Sequence, residues 1–418
     1  MFFYFIKAYL RLFFSYLDTI KRHEDILDLG DEMRKIKAIF ALLLTVMAMP
    51  IGLNRTHAQE VPKSVIDLQI LETTDLHAKI MDYDYVNRKH TVKYGLIRTA
   101  TLIKESRKTA QNSLLFDVGD VLVGNSLGKY ALKTQYVNFM DIHPVIKAMN
   151  ILNYDAATIG NHEFNYGLEF LNKSLQGANF PYVNANIYID DHNDFEGDDL
   201  NYFKPYTIIK KEVKDSVGKK HLLKIGVIGL ITPIVADWDE AVFQGKLKVK
   251  NIRATAEYYV PIMKEHGADI IVALAHTGME PDRGLKQKNG NSVYSLSKVK
   301  GIDAILYGHS HSLFPLKGDH SKKKGIDQNK GTVNGVATVQ AGYWGNHLGI
   351  IDLQLVNKNG KWKVKNSQSS VKSIYRTINR KKIPTVPRDP EIEKIIETDH
   401  RILMDYMKMN FTHKKSPF

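Results

Sequence analysis

Cysteine is absent from all 418 residues. Its absence excludes disulfides, thiolate metal sites, cysteine nucleophiles and a lipid-bearing cysteine, so any bound metal falls to His, Asp, Glu or Asn. There is no internal repeat and no basic face interleaved with aromatics. Lys and Arg number 58 against 45 Asp and Glu, a formal charge of +13, and a field of that sign draws phosphates. Yet Lys214, Lys219, Lys220, Lys322, Lys323 and Lys324 scatter through expected loops. A solvated surface accounts for them, and no stable nucleic-acid complex is expected. With 44% hydrophobic and 25% charged residues the chain lies in the ordinary globular range and can bury a substantial core.

An unbroken apolar span is also missing from the start. MFFYFIKAYLRLFFSYLDTI is interrupted by Lys7, Arg11 and Asp18 and makes a poor membrane segment. From Met33, MRKIKAIFALLLTVMAMPIG supplies a basic start and a compact apolar run, followed by Thr56, His57 and Ala58 before Gln59. That layout predicts a secretory signal peptide over 33–58, cleaved after Ala58. The competing reading, a membrane anchor, is disfavoured because the apolar run is short for a span. Residues 1–32 are then expected to be a non-native upstream extension. The mature protein is expected in the periplasm or the extracellular and cell-wall space, with no membrane span.

What is present beyond residue 64 is a series of apolar, branched runs. VIDLQILET (Val65 to Thr73) alternates as a buried strand does, and similar runs occur at 113–116, 156–159, 223–230, 270–275, 304–307 and 348–356. Amphipathic helical stretches separate several of them, which predicts an α/β fold. Pro384 and Pro387 punctuate a linker before a helical tail from Glu391 to about Met409. The strand-like runs up to Tyr307, except the one ending at Leu230, give way to short polar clusters. In open α/β sheets that edge is where ligands bind.

Those clusters are Asp75 with His77, Gly119 with Asp120, GNHE from Gly160 to Glu163, His276 in ALAHTG, and GHSH from Gly308 to His311. Singly, each is more often a cap, a turn or a hydrogen-bonded loop than a ligand. Together they supply imidazole, carboxylate and amide groups suited to divalent transition metals. Asp75 and His77, two residues apart at a strand end, can face the same way, as can His309 and His311.

In this order the motifs resemble the calcineurin-like metallophosphoesterases. LQILETTDLHAKI and YDAATIGNHEFN resemble the signatures of the 5'-nucleotidase family within that superfamily. DIHPVIKAMN, FPYVNANI and GYWGNHLGIIDLQL resemble its branch of exported 2',3'-cyclic-nucleotide 2'-phosphodiesterase/3'-nucleotidases. The resemblance implies two mixed β-sheets packed face to face and flanked by helices, a four-layer α/β/β/α arrangement over residues 65–375. It implies two divalent metal ions, with Zn, Mn, Fe and Co not distinguishable from the ligand set. Asp75, His77, Asp120 and His311 would hold one, and Asp120, Asn161, His276 and His309 the other. A hydroxide shared by the two cations would attack phosphorus of a small nucleotide substrate in line. His162 would stabilise the transition state or protonate the leaving oxygen, with Asn165 orienting its ring. Gly119, Gly160 and Gly308 are expected to let the chain bend before each ligand, and Glu163 to be a structural hydrogen-bond acceptor.

Departures from the family pattern matter too. Where relatives carry Asn and Gln, this chain has Val118 and Val123, which is expected to loosen hydrogen bonding around the metals and lower activity. Residues 376–418 are expected to be a linker and helix leading to an absent C-terminal substrate-binding domain. The alternatives are a 5'-nucleotidase or nucleotide-sugar hydrolase, or a truncated metal-binding remnant with little nucleotide activity.

Overall fold

The computed structural model describes residues 64–133, 142–193, 195, 197–279, 291–316, 318 and 323–412. The expected upstream extension and signal peptide fall outside them. The main strands are β1 (Val65–Thr73), β2 (Ser113–Asp117), β3 (Ala156–Thr158), β4 (Tyr182–Val183), β5 (Tyr206–Lys214), β6 (Lys220–Ile231), β7 (Ile270–His276), β8 (Ala304–Tyr307), β9 (Val336–Ala341), β10 (His347–Lys358) and β11 (Lys361–Ser373). The main helices are α1 (Leu96–Thr109), α2 (Ser126–Lys133), α3 (Pro144–Ile151), α4 (Gly167–Gln176), α5 (Val235–Trp238), α6 (Ile252–Glu265) and α7 (Pro390–Thr412).

Two mixed sheets result. The first runs β11-β10-β1-β2-β3-β4, with β1 to β4 parallel and β10 antiparallel to both neighbours. The second is built on β9-β8-β7-β6-β5, with β6 to β9 parallel and β5 antiparallel at the edge. The two-residue side-chain period of a strand assigns each face. On β7, Ile270, Val272 and Leu274 enter the core between the sheets, while Ile271, Ala273 and Ala275 enter the core under α6. On β1, Ile66, Leu68 and Ile70 face the same central core and Leu71 the opposite one, beneath α1, α3 and α4. Three apolar cores separating helix, sheet, sheet and helix give the expected four layers.

α1 forms because Leu96, Ile97, Ala100 and Ile103 recur at helical spacing and are buried together. α3 starts at Pro144, where a missing N–H costs nothing, and His143 accepts a bond from Val145 N at 3.3 Å. Two elements escape the sequence patterns. β11 pairs along its length with β10, although KWKVKNSQSSVKS carries few apolar residues. The expected linker contains a hairpin pairing Tyr375–Ile378 with Lys381–Pro384. Beyond it α7 lies back on the domain, burying Ile392, Ile396 and Leu403 in the same core as α1 and α3. None of the helices among the described residues is long and apolar enough to cross a membrane.

Candidate metal centre

Five strands of the two sheets end at one edge. Asp75 and His77 follow β1, Asp120 follows β2, Asn161 follows β3, His276 closes β7, and His309 and His311 follow β8. At these exits Asp75, His77, Asp120, His309 and His311 all adopt left-handed backbone, with φ between 48° and 70°. Such residues cost on the order of 1–3 kcal/mol each and persist only where neighbours over-determine them. Here the exit loops bind one another: Asp75 N donates to Gly119 O at 2.9 Å, His77 N to Asp120 O at 2.8 Å, and Trp344 N to Asp75 O at 2.7 Å. Glu163 adds a clamp, its carboxylate accepting from the backbone N–H of Asp120, Val121, Leu122 and Gly160 at 2.6–3.0 Å.

The glycines act in two ways. Gly119 has φ of 93°, so it bends the chain as expected. Gly160 and Gly308 do not share that conformation; they are small because a Cβ would strike Asp120 Oδ1 in one case and Thr74 Oγ1 in the other.

All seven candidate ligands converge. His77 Nδ1 lies 2.8 Å from Val123 O and His276 Nδ1 2.7 Å from Val118 O. A nitrogen facing a carbonyl carries a proton, so each ring, in its neutral form, presents a lone pair at Nε2. His276 Nε2 meets Asp120 Oδ2 and Asn161 Oδ1, each at 3.1 Å. His77 Nε2 is 3.2 Å from His311 Nε2 and 3.8 Å from Asp120 Oδ2. His311 Nε2 is 3.3 Å from Asp75 Oδ1, and His309 Nδ1 is 2.9 Å from Asn161 Oδ1. Acceptors packed this closely repel unless a proton or a cation stands among them. The donor set, imidazole, carboxylate and amide oxygen, fits divalent cations. Asp75, His77 and His311, and likewise Asp75, Asp120 and His276, offer ligand atoms within 4.8 Å of one another. Asp75 thus belongs to both groups, while the single oxygen Asp120 Oδ2 faces both buried imidazoles within 4 Å.

Electrostatics agree with this geometry. Burial pushes His276 down, but Asp120 outweighs it and raises the pair's imidazole to about 10. Asp120 in turn is held far below the usual carboxylate range, burial being outweighed by His276. A cation bound by His276 and Asp120 would have to displace the proton this pair holds. Burial also raises Glu72 and Asp117, at the ends of β1 and β2, well above ordinary carboxylates.

Val118 and Val123 stand where the deep histidines are held. Val118 and Val123 bind His276 and His77 through backbone carbonyls, which any side chain leaves in place. His162 and Asn165 meet as well, Nδ1 to Oδ1 at 2.7 Å, and the His162 ring packs edge-on against His77 with centroids 5.1 Å apart.

Sequence reasoning missed a set of contacts from the one run without a polar cluster. After β6, the short α5 brings Trp238 onto His309, stacked at 5.4 Å and 27°, and the next residue, Asp239, onto Asn165. Tyr343 similarly stacks on His311 at 4.8 Å and 15°. Trp238 is 51% exposed, and no motif in the surrounding TPIVADWDEA signals the contact in sequence. A cavity of 1170 Å³ opens near Tyr343, lined by Lys79, Tyr94, Trp344 and Arg388 among others.

Residues 68–313 match the calcineurin-like phosphoesterase family model. The chain belongs to that family. It is 44% identical, over 366 residues, to a 2',3'-cyclic-nucleotide 2'-phosphodiesterase/3'-nucleotidase of Yersinia enterocolitica, covering 88% of this chain and 54% of that protein. A trifunctional nucleotide phosphoesterase of Bacillus subtilis is 41% identical, covering 84% of this chain and 23% of that protein. The crystal structure of the calcineurin-like phosphoesterase YfkN from Bacillus subtilis superposes with a TM-score of 0.76 at 40% identity, covering 82% of this chain and 99% of that one. The chain spans about half the length of the cyclic-nucleotide relatives it matches. Candidate groups for divalent metal thus sit within a metallophosphoesterase fold.

Proposed function

We propose that this chain hydrolyses nucleotide phosphate esters, as a 2',3'-cyclic-nucleotide 2'-phosphodiesterase and 3'-nucleotidase. The reading rests above all on Asp120 Oδ2, which faces His77 Nε2 at 3.8 Å and His276 Nε2 at 3.1 Å, as a carboxylate shared by two cations would. Asp75, His77, Asp120 and His311 would hold one divalent ion, and Asp120, Asn161, His276 and His309 the other. When bound, the ions supply Lewis-acid charge to the phosphoryl oxygens and an activated water as nucleophile. The protein's own residues do the rest. Asp75 and Asp120, both buried, balance the cationic charge. His162, its Nδ1 committed to Asn165, keeps Nε2 for the phosphoryl group or the leaving oxygen. Asn165 and the GYWGNHLG segment, together with the names of the relatives, favour cyclic and 3'-nucleotides over 5'-nucleotides. Export through the segment 33–58 to the periplasm or cell-wall space is part of the same proposal.

The test is turnover by the metal-loaded chain. Bis(p-nitrophenyl) phosphate with added Mn²⁺ is expected to be hydrolysed, followed by 2',3'-cyclic and 3'-nucleotides in preference to 5'-nucleotides. No hydrolysis of any phosphoester after metal loading contradicts the reading, and a preference for 5'-nucleotides contradicts its substrate.

A further inference from the structure

His162 is bound to Asn165, and Asn165 is bound in turn to a carboxylate. Asn165 Nδ2 donates to Asp239 Oδ1 at 3.2 Å and lies 3.4 Å from Oδ2. An ionised carboxylate only accepts hydrogen bonds, whereas an amide has one accepting and one donating end. With the NH2 end drawn to Asp239, the carbonyl end must face His162. Nδ1 of His162, 2.7 Å away, must then be the protonated nitrogen, and Nε2 the one left for chemistry. An unanchored amide can turn over, offer its NH2 to Nδ1 and favour the opposite tautomer. Asn165 is exposed, so without a second anchor its orientation is open to solvent competition.

We propose that Asp239 is a positioning residue that fixes the Asn165 amide and, through it, the tautomer of His162. Its placement is specific. Asp239 directly follows Trp238, the last residue of α5, and its carbonyl accepts from Val242 N at 2.8 Å and Phe243 N at 3.2 Å, so the backbone is held from both sides. Trp238 at the same corner stacks on His309. One corner therefore braces a candidate ligand with a ring and, by way of Asn165, the candidate acid with a carboxylate. The inference rests on the reading that His162 acts on the substrate.

Two readouts test it. Asp239→Ala is expected to lower kcat for a cyclic nucleotide by about ten- to a hundredfold, the range for removing a group that orients a site histidine, with KM unchanged. Asp239→Asn, which can still accept from Asn165, is expected to recover most of that loss. Asn165→Ala with Asp239→Ala is expected to be no worse than Asn165→Ala, because both act along one path. Independently of turnover, nitrogen NMR of the neutral His162 ring is expected to show protonated Nδ1 in the wild type and a shift toward protonated Nε2 in Asp239→Ala. An unchanged tautomer, a wild-type kcat in Asp239→Ala, or additive losses in the double variant overturns the proposal. A wild-type chain that turns over nothing overturns the functional reading instead, and the NMR comparison still decides this one.

Discussion

The four histidines of the centre are held in two different ways. His77 and His276 lie deep, 5% and 0% exposed, each pinned through Nδ1 to a backbone carbonyl. His309 and His311 lie at the rim, and each is braced by a stacked aromatic ring, Trp238 and Tyr343 respectively. A carbonyl pin is indifferent to the side chain that bears it, so the deep pair is insulated from substitution at Val118 and Val123. An aromatic brace depends wholly on its side chain. Substitution at the rim is therefore expected to tune the centre, and substitution of the deep pair to break it.

The largest effect is expected from breaking the deep pair. His276→Ala leaves Asp120 buried without its partner, which should cost about 3–5 kcal/mol of stability in urea unfolding and remove one equivalent of bound metal. Loss of metal without loss of stability would show that the buried ion pair contributes little. Next come the rim braces. Trp238→Ala and Tyr343→Ala are each expected to weaken metal binding by about ten- to a hundredfold in chelator competition. Trp238 is half exposed, so stability should change by only about 0.5 kcal/mol in its case. Equal metal affinity in both variants and the wild type would erase the distinction between rim and depth.

Val118→Ala sharpens it from the other side. It is expected to cost about 1–3 kcal/mol in stability, because Val118 is fully buried, while metal affinity holds because the carbonyl remains. At neutral pH no effect is expected at His143, a buried histidine outside the centre whose Nε2 has no hydrogen-bond partner among the described residues; its effect is confined to acid. Burial, assisted by Lys147, pushes it from the ordinary 6.5 down to about 3. A depressed folded value means that its neutral form contributes stability above pH 6.5, which is lost as pH falls toward 3. The slope approaches about 1.4 kcal/mol per pH unit, and His143→Asn, which can still cap α3, is expected to flatten it in acid unfolding curves.

Much of this architecture was legible because strand ends carry their chemistry in short, ordered motifs. β1 is found over the run VIDLQILET, and Asp75, His77, Asp120, Asn161, His276, His309 and His311 fall just beyond or at strand ends. What stayed hidden lacked a local pattern. β11 is an edge strand with a largely wet face, so its lysines and serines never alternate with enough apolar residues to announce it. Trp238 and Asp239 stand seven and eight residues past β6, and nothing in their neighbourhood reveals that a turn of helix swings them back to His309 and Asn165. Gly160 and Gly308 read as bends, whereas their smallness answers to side chains distant in sequence. The carbonyl pins at Val118 and Val123 are silent by nature, because backbone atoms leave no mark in residue identity.

Anomalous diffraction from Mn²⁺-soaked crystals is the most direct check. Two peaks are expected about 4 Å apart, straddling Asp120, one beside His77 and His311 and the other beside His276 and His309. A single peak, or two that leave Asp120 outside their shared shell, contradicts the two-cation centre.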